Sequence, residues 1–196
     1  MRRLGLFALV GLLGFALWQI GGAGWIHAKA TVAQFLLERS WESRRAGTGP
    51  NKARPWPWAD TVPVARLRVP GRDIEQIVLA GASGRTLAFG PGHLSGTADP
   101  GTRGHSILSG HRDTHFVFLQ DLRPGDLFEI ERTDGQSVLY RVSGHEIVDA
   151  RTARFAEAPD RTVMSLVTCY PFEATDPNGP LRYVVFAEAV ASQITW

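Results

Sequence analysis

Residues Leu4 to Ile26 carry no charged side chain, and this run divides the chain before any other feature is read. It covers 23 positions (26 − 4 + 1), and a helix of that length reaches roughly 34 Å at about 1.5 Å per residue. A bilayer core is about 30 Å thick. Arg2 and Arg3 precede the run, as expected of an N-terminus held on the cytoplasmic side. Gly5, Gly11, Gly14, Gly21, Gly22 and Gly24 lie within it, and membrane helices accept glycine. Two export readings fit. One is an uncleaved signal anchor, a single-pass N-terminal transmembrane helix. The other is a cleaved signal peptide, because Ala28-Lys29-Ala30 has the A-x-A form of a processing site. The run is longer than a usual signal core, which favours the anchor. A buried soluble helix is the plain alternative, and little else in the chain is available to cover it. Either export reading puts the remainder outside the cytoplasm.

The whole chain has 196 residues, about one domain plus an accessory segment. Its net charge is only +2 and its Lys and Arg residues are scattered. A nucleic-acid-binding face needs clustered basic residues, so no nucleic-acid partner is expected. No repeat or low-complexity tract is present.

Three regions follow from the pattern. Residues 1–27 form the anchor or signal peptide. Residues 28–60 form a helical stalk and a Pro/Trp linker. Within the stalk, Val32, Phe35, Leu36 and Arg39 follow a helical spacing, and no Gly or Pro interrupts it up to about Arg45. Gly47-Thr48-Gly49-Pro50 ends the helix, and Arg54-Pro55-Trp56-Pro57-Trp58-Ala59-Asp60 is extended because each Pro moves its predecessor out of the helical region. Trp56 and Trp58 are suited either to the membrane surface or to covering the start of the next domain. Residues 61–196 read as β. Pro63–Val69 alternates, Ile77–Leu79 and Thr86–Phe89 are short runs bounded by Gly, and His105–Ser109 follows. Asp126–Glu131 alternates and leads into the turn Thr133-Asp134-Gly135. Ser137–Val142, Glu146–Val148, Val163–Cys169 and Leu181–Val190 complete the set, and Phe116–Leu122 alone looks helical. Many short strands with turns between them predict a mainly β protein, a closed or nearly closed antiparallel-rich barrel with a few short helices.

Cys169 is the single cysteine. It cannot form an intramolecular disulfide, and an odd thiol in an oxidising compartment stands out. The plain reading is a small buried hydrophobe. The chemical reading joins three residues. Cys169 ends one β run, Arg182 begins the next 13 positions later (182 − 169), and His111 follows a third. If the last two strands pair, their facing ends place thiol and guanidinium on one rim. Acyl transfer from an amide needs a strong nucleophile, which thiolate supplies. The leaving amine needs a proton donor such as His. The oxyanion needs directed donors, which Arg supplies. Each residue alone also fits an ordinary surface or core role.

Ser165-Leu166-Val167-Thr168-Cys169 resembles the T-L-x-T-C signature of sortases, with Ser in place of the first Thr. Gly110-His111-Arg112 resembles their histidine motif, and Leu181-Arg182-Tyr183-Val184-Val185 their arginine strand. The segment Arg54–Asp60 is similar to the linker of the Gram-negative class. The resemblance covers about Pro55 to Val190. It implies an eight-stranded sortase β-barrel and a cysteine transpeptidase that cleaves a Leu-Pro-x-Thr-Gly (LPxTG-like) sorting signal between Thr and Gly, forms a thioacyl-enzyme, and passes the acyl group to an amine acceptor. It assigns Cys169 as nucleophile, His111 as acid/base and Arg182 as oxyanion and substrate ligand. No cofactor is implied. Some sortases use calcium, but Glu146, Asp149, Glu157 and Asp160 form no tight acidic cluster and read as solvated surface. Pilus-building sortases often carry a second, C-terminal membrane segment. None is seen before Trp196, which gives the expectation of a single-substrate or housekeeping role.

Other readings fit less of the pattern. His93, His105, His111, His115 and His145 match no tight metal-ligand spacing. An L,D-transpeptidase would place Cys in a Ser-His-Gly-Cys context, which is absent. A papain-like protease would have its His downstream of its Cys, the reverse of this order. A non-catalytic, membrane-anchored peptide-binding barrel would have no need of the full Cys–His–Arg set.

Overall fold

The computed structural model describes residues 2–47, 54–174, 176 and 179–190, with side chains in the first helix described at 12, 15, 18, 25 and from 28 onward. Two compact units are present, residues 1–36 and 37–196.

The first element, α1, runs from Arg2 to Arg45. Most side chains of the uncharged run lie outside the described residues, so the anchor expectation falls largely on them. Among the described residues, no helix is long and apolar enough to cross a membrane. The end of α1 packs by a different face from the one the spacing suggests. Val32 and Phe35 are exposed, whereas Leu37 and Trp41 are fully buried. These two stand four apart on one helical face. They pack on Ile77, Leu79, Trp56 and Phe89. Trp56 meets Phe89 edge-on at 4.9 Å, while Trp58 is 82% exposed, so only the first of the two linker tryptophans covers the domain.

Eight strands follow: β1 Pro63–Val69, β2 Ile74–Ala80, β3 Gly92–His93, β4 Gly104–Ser109, β5 Leu127–Arg132, β6 Ser137–Asp149, β7 Thr162–Cys169 and β8 Leu181–Ala189. They close into a barrel in the order β1-β2-β3-β4-β7-β8-β6-β5. The predicted barrel is therefore correct in class and closure. β2–β3 and β4–β7 are parallel pairs and the rest are antiparallel. Alternation places Leu67, Val78, Leu108, Phe128, Ile130, Tyr140, Leu166 and Val185 in one interior cluster.

Three local readings are corrected. Thr86–Phe89 is not a strand: Gly84–Leu87 is one helical turn, α2, with Thr86 N donating to the Ser83 cap at 3.3 Å. A serine cap offers those residues a helical alternative to pairing. Ser137–Val142 and Glu146–Val148 are one strand, interrupted by a bulge between Val142 and Gly144. The two-residue β3 is too short to leave a period in the sequence. The expected helix at Phe116–Leu122 is a 3₁₀ turn over Val117–Asp121.

Candidate active site

β7 is the spine of the site, because it pairs with β4 on one side and β8 on the other. Cys169 is the last residue of β7, and its partner across the antiparallel pair is Arg182. Residues opposite each other in such a pair project from the same face. Met164 and Leu166 of β7 and Tyr183 and Val185 of β8 point into the core. By alternation, Cys169 and Arg182 project outward. On the other side β4 runs parallel with a constant offset, from Gly104↔Thr162 to Ser109↔Val167 (167 − 109 = 58). Gly110 N extends that ladder to Val167 O at 3.1 Å. His111 is the next residue after the bonded Gly110, just past the end of β4 and beside the end of β7. Neighbouring strands lie about 4.8 Å apart, and the three predicted residues lie at or just beyond three adjacent strand ends.

Buried bonds fix that rim. Thr168 is 1% exposed, and its hydroxyl donates to Gly110 O at 2.7 Å. This ties the residue before the thiol to the residue before the imidazole. Gly110 has a steric reason: a Cβ there would come within 2.8 Å of the Phe116 ring. The His111 loop is held from both flanks. Phe116 N donates to His111 O at 2.8 Å, and Gln76 Nε2 of β2 donates to His115 O at 2.7 Å. Arg112 Nη2 donates to Ala174 O and to Asp176 O of the β7–β8 loop. Burial pushes the His115 imidazole below its ordinary range; the nearby His111 adds to this and Asp113 opposes it.

Arg182 is held at the rim by backbone. Its Nη1 donates to Gly179 O at 2.7 Å and to Leu181 O at 2.8 Å. Asp149 ends β6 next to the Arg182 pairing position, but it is engaged by Arg151 at 2.6 Å. Hydrogen bonds from Arg151 hold the Asp149 carboxyl down at about 2, and Arg182 adds a smaller pull.

The family model of the sortase domain matches residues 67–190. The chain belongs to the sortase family. Sortase D of Bacillus subtilis (strain 168) is 30% identical over 125 residues, covering 63% of this chain and 62% of that relative. The match thus spans under two thirds of the relative's length. Among solved structures, the Clostridium perfringens Sortase D5 transpeptidase is similar with TM-score 0.63 and 21% identity, over 82% of this chain and 99% of that one. Sortase C of Clostridium perfringens with the C-terminal cell wall sorting motif is similar with TM-score 0.59 and 22% identity, over 83% of this chain and 90% of that one.

Among the described residues, the remaining histidines form no metal-type cluster. His93 Nε2 bonds Ala98 O and Thr97 Oγ1, and His145 stacks on Tyr183 at 4.9 Å. The sequence reading singled out the thiol, the imidazole and the guanidinium. It missed the bracing roles of Thr168, Gln76 and Arg112, whose partners are backbone carbonyls 58, 39 and 62 positions away. No local signal announces such bonds.

Proposed function

We propose that this sortase is a cysteine transpeptidase acting on a C-terminal sorting signal of the Leu-Pro-x-Thr-Gly type. The observation that carries the reading is the Cys169–Arg182 register pair, with Gly110, the neighbour of His111, bonded to Val167 and Thr168 just before the thiol. Cys169 Sγ attacks the Thr carbonyl carbon and forms a tetrahedral oxyanion. Arg182 faces that centre with the guanidinium N–H groups left over from its bonds to Gly179 and Leu181. The amide C–N bond breaks as His111 gives a proton to the departing Gly nitrogen. The thioester then accepts an amine, which loses its proton to His111, and Cys169 leaves as thiolate. The Clostridium perfringens sortase C described with its sorting motif supports the substrate class.

Residues 1–27 serve as the membrane anchor, residues 28–60 as stalk and linker, and residues 61–196 as the catalytic barrel on the periplasmic side of the inner membrane. Arg2 and Arg3 before the uncharged run support this orientation. The Arg54–Asp60 linker supports the Gram-negative class within the family.

The test is to incubate the full chain in detergent with peptides containing Pro and Thr and to weigh the product of acid quenching. A mass increment on Cys169 equal to the peptide up to Thr, discharged by added amine, is expected. Peptide turnover without any adduct on Cys169 defeats the assignment.

A further inference from the structure

We propose that His105 is a positioning residue that holds the β6–β7 segment over the outer face of β7 and thereby sets affinity for the acyl donor. This rests on the transpeptidase reading above. His105 lies on β4 and both ring nitrogens are engaged. Nδ1 stands 2.8 Å from Ala156 O, in the middle of the β6–β7 segment. Nε2 stands 2.8 Å from Ser165 Oγ on β7. A carbonyl only accepts, so Nδ1 carries the hydrogen and donates to Ala156; in the neutral ring, Nε2 then accepts from the Ser165 hydroxyl. Ser165 is fully buried beneath the imidazole. The ring also meets Phe155 edge-on at 5.6 Å and 83°. Ser165 is the position at which this chain departs from the T-L-x-T-C pattern, and its hydroxyl is the atom in use.

The surroundings make this contact a pillar. Among the described residues, Ala156 O accepting from His105 is the hydrogen bond that ties residues 154–159 to β4. A cavity of about 360 Å³ lies on one side of the segment, toward Val148, Val163 and Phe186. Another of about 390 Å³ lies on the other side, toward Gly96, Thr97 and Ile107. His105 and Phe155–Ala158 line both.

Distance connects the pillar to the chemistry. Ser165, Val167 and Cys169 share the outer face of β7 by alternation. Four residues of strand span roughly 13 Å, the reach of a four-residue extended peptide. A donor with its scissile carbonyl at Cys169 and its upstream residues lying along β7 therefore arrives at His105. The imidazole is too far to touch the reacting atoms, so it acts on how the donor is held.

The full chain in detergent is compared with His105→Ala, Ser165→Ala and Ser165→Thr, each normalised by thiol titration of Cys169. Hydrogen exchange of residues 150–161 is measured without substrate, and steady-state cleavage with a Leu-Pro-x-Thr-Gly peptide. Both alanine variants should speed exchange in that segment. Each should raise KM about five- to tenfold, the scale of one lost hydrogen bond, with kcat within twofold. Ser165→Thr, which keeps the hydroxyl, should match the wild type in both. Unchanged exchange of the segment overturns the proposal whatever the peptide does. Cleavage with unchanged KM in the alanine variants overturns it as well. A wild type that ignores the peptide while exchange responds as expected counts against the substrate reading and for the pillar. Should His105→Ala fail to fold, the Ser165 pair decides by the same criteria.

Discussion

The proposed reaction rests on Cys169, Arg182 and His111, and single substitutions separate their roles. Cys169→Ala should abolish turnover and leave no thioester detectable by mass. His111→Ala and Arg182→Ala should each lower kcat/KM by at least about a hundredfold, the usual scale for losing a proton donor or an oxyanion ligand. Arg182→Lys should rescue little, because a point ammonium lacks the planar fork; near-normal turnover in that variant would count against the oxyanion role. A charged methanethiosulfonate should label Cys169 in the folded protein, since the residue is only partly buried. Thr168→Val tests the bracing of the rim. It leaves Gly110 O without its buried donor, which should cost about 1–3 kcal/mol in denaturant unfolding. His115 gives a pH dependence. Its folded-state affinity for protons lies below the ordinary value of 6.5, so the unfolded chain binds the proton more readily. Stability should be full above about pH 6.5 and fall as the medium is acidified through the window below it. His115→Gln should flatten that part of the curve, read by chemical denaturation at several pH values. The thiol, imidazole and guanidinium of the proposed reaction stand out in the sequence because that chemistry demands their side-chain types. Thr168, Arg112 and His105 do not, because they act through carbonyls and hydroxyls that only folding brings near.

At the scale of elements, the docking of the end of α1 shows how tertiary contact selects among faces. The spacing of Val32, Phe35, Leu36 and Arg39 is helical, but helical spacing fixes only the period. The burying face is set by Ile77 and Leu79 on the outside of β2, and it takes Leu37 and Trp41. Trp41→Ala should therefore cost about 3–5 kcal/mol, against less than about 0.5 kcal/mol for Phe35→Ala. Comparable losses in thermal unfolding would refute that choice of face. An ionic ladder reinforces the same seam. Glu131, 3% exposed, pairs with Arg45 at 2.9 Å and Arg68 at 3.0 Å. Arg66 pairs with Glu38 of α1 and with Glu75. The strands with clear alternation, β1 and β5 above all, were legible because polar side chains alternate with core residues along them. α2 was misread because a capped single turn and a short strand use the same residues.

For the molecule as a whole, closure leaves the barrel without a free edge, and placing β7 between β4 and β8 turns three distant segments into one rim. The proposed membrane anchoring is tested on the full chain. It should fractionate with inner membranes, and its intact mass should include residues 1–27; a mass beginning after Ala30 would instead establish processing. From the sequence alone came the class of the fold and the side-chain types of the proposed thiol, imidazole and guanidinium, because composition, period and chemical competence are written residue by residue. Tertiary structure alone decided that Cys169 faces Arg182, that bonds of Gly110 to Val167 and Thr168 hold the start of the His111 turn beside the end of β7, and that His105 braces Ala156 against Ser165. Register and long-range hydrogen bonds depend on how strands align in space, and no local stretch of chain encodes that alignment by itself.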